Sequence, residues 1–213
     1  MAIFTDHVIR YMQDVRPERS QVMADMERFA ETDHVPIVHW ETGRFLATLV
    51  RATDPAQVLE VGTAIGYSTL HMAQELGRGK IVTIERDPDR VKQATDYLER
   101  AGVKDRVEIV QADATEALER LPGPFDLIFL DGTKTEYQRY FEMAEPKASE
   151  RAVLVVDNML MSGDVALEDD SDAFWSAENL ASAREFNAKL LRSEQWLGAV
   201  LPIGDGVVFA ARR

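Results

Sequence analysis

The sequence predicts an α/β fold in which a mostly parallel sheet carries helices on both faces, with an antiparallel edge at the C-terminal side. Two patterns predict it. From residue 57 onward, short β-rich runs alternate with helical patterns, which is the signature of strand–helix–strand units. Near the end the rhythm changes: Trp196 to Ile203, then Gly204-Asp-Gly206, then Val207 to Ala211 read as two strands joined by a tight turn. Residues 1–52 show only helical spacing and read as an N-terminal helical extension of a single domain covering 1–213.

In chain order, Phe4, Val8, Ile9 and Met12 recur at helical spacing. So do Val22, Met23, Met26 and Phe29, after a Pro17 suited to a helix first turn. A third helix is expected from about Val38 to Val50, with Phe45, Leu46 and Leu49 on its buried side. The strands are expected at 57–62, 80–85, 106–111, 125–131 and 152–157. Between the second and third, Val91, Ala94, Leu98 and Ala101 mark a helix face that Gly102 stops.

Composition narrows the chemistry. With 24 Lys plus Arg against 37 Asp plus Glu, the 213 residues carry a formal charge of −13, which opposes binding to nucleic acid or anionic membrane. No cysteine is present, which excludes disulfides and thiolate sites, and His7, His34, His39 and His71 include no zinc-type pair. Any metal site must therefore use oxygen ligands and a hard cation. The opening residues lack a basic segment followed by an apolar stretch, and the longest aliphatic run, 152–156, is far below the roughly 20 residues a bilayer requires. A soluble, cytoplasmic protein is the expectation.

Open sheets bind ligands at the carboxyl ends of their strands. The first run ends in Glu60-Val-Gly-Thr-Ala-Ile-Gly-Tyr-Ser68, where Gly62 and Gly66 permit a sharp turn and close ligand approach. The spacing is not that of a dinucleotide or P-loop site, and Glu60 would repel pyrophosphate while accepting hydrogen bonds from an ammonium group. Glu85, about 20 residues beyond the glycine turn, is placed for ribose hydroxyls. Asp113 suits an adenine amino group or the cap of a helix starting at Ala114. An amino-acid tail, a nucleoside and no phosphates together describe S-adenosylmethionine. Asp131 and Asp157-Asn158 each end an apolar run, so two carboxylates and an amide oxygen emerge at one rim as a half-shell for Mg²⁺, or for Mn²⁺ or Ca²⁺.

These residues resemble the cation-dependent O-methyltransferases, the family of catechol and caffeoyl-CoA O-methyltransferases. The resemblance runs from about Val38 onward. It rests on Glu60-Val-Gly-Thr-x-x-Gly-Tyr-Ser68, Asp131-x-x-Lys134-x-x-Tyr137, Val155-Val-Asp-Asn158, Arg184-x-Phe-Asn187 and Leu201-Pro-x-Gly-Asp-Gly206. It implies a Rossmann-like fold of seven strands, S-adenosylmethionine as methyl donor, a divalent cation, a catechol-like small-molecule acceptor and a homodimer. By position it implies that Val38, Glu60, Gly62, Thr63, Ser68, Glu85, Asp113, Ala114 and Asp131 line the cofactor site. It further implies Asp131, Asp157 and Asn158 as metal ligands, and Lys134 as general base acting beside Asp131. Two departures stand out: Gly132-Thr133 replaces a common Ala-Asp, and Lys147-Ala-Ser-Glu-Arg151 replaces a common Arg-Pro-Gly-Gly turn. A tRNA hydroxyuridine O-methyltransferase of the same family, a non-catalytic S-adenosylmethionine-binding module and a nicotinamide-dependent dehydrogenase are the alternatives. The charge, the intact Asp131, Lys134, Asp157 and Asn158, and the glycine spacing weigh against them in turn.

From Ala152 to Ala183 there is no Lys or Arg but there are seven acids, Asp157, Asp164, Glu168, Asp169, Asp170, Asp172 and Glu178. This stretch reads either as a solvated acidic loop or as a rim that disfavours anionic acceptors, with Trp40, Met161 or Trp175 as apolar walls. His39 is a further candidate for shaping the acceptor pocket.

Overall fold

The computed structural model describes residues 4–213, and the first three residues of the expected N-terminal extension lie outside that range. Seven strands form one sheet: β1 (Gln57–Val61), β2 (Lys80–Glu85), β3 (Val107–Gln111), β4 (Phe125–Leu130), β5 (Ala148–Val156), β6 (Trp196–Leu201) and β7 (Val207–Arg212). Their order is β3-β2-β1-β4-β5-β7-β6. The first five are parallel, while β7 pairs antiparallel with both β5 and β6.

Continuous apolar runs become central strands because both faces are covered. In β4, Leu127 and Phe129 face one core, and Ile128 and Leu130 face the other; in β5, Val153 and Val155 alternate with Leu154 and Val156 in the same way. Burying a side chain of this kind stabilises the fold by about 1.5–3 kcal/mol. One core is closed by α6 (Ala114–Arg120), α7 (Tyr137–Ala144) and α8 (Ala177–Leu191). The other is closed by α2 (Gln21–Thr32), α3 (Trp40–Thr53), α4 (Tyr67–Glu75) and α5 (Pro88–Arg100). The remaining helix, α1 (Asp6–Asp14), buries none of its residues.

Local signals explain most boundaries. Asp87 caps α5 by accepting from the Asp89 and Arg90 amides at 2.9 and 3.4 Å, with Pro88 in the first turn. Pro17 does not open a helix. It lies in the connection, and α2 begins four residues later, where Ser20 Oγ accepts from the Met23 amide at 3.3 Å. A hydroxyl that satisfies an orphan N–H outweighs proline's preset φ in fixing that start. Helix α2 is tied to α5: Arg100 pairs with Asp25, and the Phe29 and Tyr97 rings lie 6.4 Å apart.

Candidate active site

Parallel strands deliver their carboxyl ends to one rim, and a cleft of about 370 Å³ opens there. Gly62, Glu85, Asp113, Ala114, Asp131 and Lys134 all line it. At Gly62 (φ +101°) a side chain is excluded twice over, by the backbone conformation and because a Cβ would overlap the Asp131 carbonyl oxygen. The glycine turn and the end of β4 therefore close on each other. Glu85 braces the same turn: one carboxylate oxygen accepts from the Ala64 amide and the other from the Asp87 amide, each at 2.9 Å. Asp113 takes the capping role weighed from the sequence and also faces the cleft. It caps α6, accepting from the Thr115 amide at 2.9 Å and hydroxyl at 2.6 Å, and it lines the cleft. The Thr115 hydroxyl and amide bonds hold its carboxyl below the ordinary value.

Four expected cofactor residues stand behind this wall. Val38 is in the core, and Pro36 is the residue of that segment on the cleft. Glu60 is fully buried and accepts from the Ser68 and Thr69 hydroxyls at 2.5 Å each, so its carboxylate faces hydroxyls rather than the cleft. Burial pushes it up to about 7 against the opposing pull of those hydroxyls. Thr63 bonds Thr83, hydroxyl to hydroxyl, at 2.6 Å. These groups form a polar layer beneath the turn. Gly132, one of the two departures, has a local reason: a Cβ there would stand 2.9 Å from the Tyr140 ring that shares the cleft wall.

The polar groups at the ends of β4 and β5 differ in kind. Lys134 Nζ donates to Asp131 Oδ1 and to the Tyr137 hydroxyl, both at 2.8 Å. Asp157 is 2% exposed, and its Oδ1 has no hydrogen-bond partner among the described residues. Burial, and then the neighbouring Asp131 charge, raise its carboxyl to about 7. Asn158 sits at φ +62° and donates its amide nitrogen to Asp205 Oδ2 at 3.4 Å, which leaves its oxygen turned from that carboxylate. Among the described residues no three His, Cys, Asp or Glu side chains gather into a metal-holding cluster. The donor set here is instead two carboxylates and an amide, and a buried, unpartnered carboxylate oxygen beside a second carboxylate fits a hard cation.

Asp205 itself carries no role in the sequence reading, although its motif was visible. It accepts from Ser162 Oγ at 2.9 Å, and His39 Nε2 lies 3.5 Å from it. That contact raises the His39 pKa and lowers that of Asp205. The acidic segment is not simply solvated. Asp164 is buried and accepts from the Phe174 and Trp175 amides at 2.8 and 3.2 Å. Arg184 grips both oxygens of Asp170 at 2.9 and 2.7 Å and the Val165 and Leu167 carbonyls at 3.0 and 3.1 Å. Glu168, Asp169, Asp172 and Glu178 remain exposed. Met161 is fully buried in the core and forms no wall; Trp40 packs under Arg16, 5.2 Å from its ring.

A profile of the family described as O-methyltransferase matches residues 13–213. The chain belongs to the O-methyltransferase family. It is 42% identical over 136 residues to a catechol O-methyltransferase of Mycobacterium tuberculosis, a match that spans 62% of each protein. It is 35% identical over 153 residues to a catechol O-methyltransferase of Niastella koreensis, covering 70% of this chain and 67% of that one. Among solved structures, cofactor-bound Rv0187 from MTB superposes with a TM-score of 0.85 at 30% identity, covering 97% of this chain and 96% of the other. An O-methyltransferase from Bacillus cereus in complex with SAH gives 0.84 at 26% identity, covering 97% of each. Membership of this family accounts for the seven-stranded, Rossmann-like order of the sheet. Among the described residues no helix is long and apolar enough to cross a membrane.

Proposed function

We propose that this protein transfers a methyl group from S-adenosylmethionine to a hydroxyl of a catechol-like vicinal diol, with a divalent cation held by Asp131, Asp157 and Asn158. The observation that carries this reading is the buried, unpartnered Asp157 oxygen next to a cleft whose walls suit a nucleoside. That Glu85, Asp113 and Gly62 all line this cleft supports reading the two acids as ribose and adenine contacts and the bare glycine backbone as the place of approach for the donor's tail. When bound, the donor supplies an electrophilic methyl group on sulfonium and the cation supplies positive charge that acidifies a coordinated hydroxyl. Lys134 Nζ, held between Asp131 and Tyr137, would in its neutral amine form take the hydroxyl proton while the oxygen bonds the methyl carbon and the S–CH3 electron pair leaves on the sulfur of S-adenosylhomocysteine. The rigid strand ends contribute by holding acceptor oxygen and methyl carbon in line.

The exposed acids that follow Asn158 favour a neutral or cationic acceptor over a CoA thioester or RNA, and the charge of −13 argues the same way. A cytoplasmic homodimer completes the reading. Its test is methyl transfer to a panel of catechols, flavonoids and hydroxylated tRNA, with and without EDTA. EDTA-sensitive methylation of catechols is the expected result. Full turnover in EDTA would overturn the cation, and a strong preference for caffeoyl-CoA at low salt would overturn the acceptor class.

A further inference from the structure

Asn158 can turn either end of its amide toward a cation. The nitrogen end carries two donors and cannot bind one, and the oxygen end can. Nothing in the residue itself chooses between the two, because the ends have nearly the same shape. The choice must come from a neighbour.

That neighbour is Asp205. Its carboxylate is acceptor-only, so it welcomes the amide nitrogen and repels the amide oxygen. Its two oxygens are divided: Oδ1 takes the Ser162 hydroxyl at 2.9 Å and faces His39 at 3.5 Å, leaving Oδ2 for Asn158 Nδ2 at 3.4 Å. The backbone fixes the arrangement. The Met159 amide donates to the Gly206 carbonyl at 2.8 Å and the Leu160 amide to the Asp205 carbonyl at 3.0 Å, so the turn between β6 and β7 is stitched to the segment after β5. Gly206 (φ +87°) permits this closeness, since a Cβ would overlap Leu160. Asn158 occupies the left-handed region that asparagine tolerates better than most residues.

We infer that Asp205 is a positioning residue: by holding the Asn158 amide nitrogen it presents the amide oxygen to the divalent cation. This rests on the cation reading above. The experiment is the Mn²⁺ affinity of the full chain, measured by water-proton relaxation, for Asp205→Ala in two backgrounds, native Asn158 and Asn158→Asp. An aspartate has two equivalent oxygens and no wrong end, so there the orienting role disappears. With Asn158 present, Asp205→Ala should weaken Mn²⁺ by about 10-fold or more, the usual scale for a residue that orients a ligand. With Asn158→Asp, the same change should cost nothing, or strengthen binding by removing a like charge. Equal weakening in both backgrounds would assign Asp205 a plain charge or scaffold role and overturn the inference. Unchanged affinity in the native background would overturn it too. If Asp205→Ala does not fold, judged by S-adenosylhomocysteine binding, Asp205→Ser is measured in the same pair and read identically, its hydroxyl being too short to hold the amide. Wild-type protein that binds S-adenosylhomocysteine but no Mn²⁺ would instead remove the cation reading itself, and this inference with it.

Discussion

The two ends of the cleft are built on opposite principles. At the end formed by β1, β2 and β3, the polar side chains are spoken for within the fold: Glu60 by Ser68 and Thr69, Glu85 by two backbone amides, Asp113 by Thr115. At the end formed by β4 and β5, Asp157 has an oxygen with no partner among the described residues, and the Asp131 charge is balanced by Lys134. A site for a nucleoside gains from rigid walls formed before the ligand arrives. A site that binds a cation and moves a proton must keep charge available, which costs stability in the protein alone.

This contrast predicts where substitutions act. The largest effect belongs to Lys134→Ala, which should lower kcat by about 10²–10⁴-fold, the typical worth of a general base, while S-adenosylhomocysteine affinity stays unchanged. Steady-state kinetics and calorimetry check the two halves, and undiminished turnover would remove Lys134 from the mechanism. Gly62→Ala should strain the backbone by about 1–3 kcal/mol and weaken cofactor binding, since the turn and the Asp131 carbonyl cannot both keep their places. Asp157→Asn should do the reverse to stability: with EDTA at pH 8 the variant should be more stable than wild type by about 1–3 kcal/mol, yet lose its cation-dependent turnover. Thermal melts with and without Mg²⁺ read both. The smallest effect is Glu60→Gln. The native carboxyl is held near 7 against an ordinary 4.5, so its contribution is full below 4.5 and lost as pH rises through 7. The substitution should flatten that part of the stability-against-pH curve, and an unaltered slope would show that Glu60 is ionised throughout.

The sheet and the arrival of Asp131, Asp157 and Asn158 at the ends of β4 and β5 could be read in the sequence because each follows from a short local pattern. Apolar runs such as Leu127-Ile-Phe-Leu130 need two covered faces, and a polar group ending such a run must surface at the rim. Glu60 was harder. Its presence near the turn is visible, but its direction follows from its register in the sheet opposite Thr83 and Phe129, which no local pattern encodes. Asp205 reaches Asn158 across 47 positions, and Arg184 organises acids 14 to 20 positions before it. Such long-range polar pairs leave no periodicity to detect.

The Arg184 clamp has an engineering consequence. Arg184 seizes the start of the loop through backbone carbonyls and Asp170, and Asp164 secures the far side through the Phe174 and Trp175 amides, which any residue except proline supplies. Ala173 and Trp175 also pack against the core, whereas Phe174, 89% exposed, is anchored by its backbone amide. A new recognition side chain can be introduced at Phe174 while the anchored loop on either side keeps its shape.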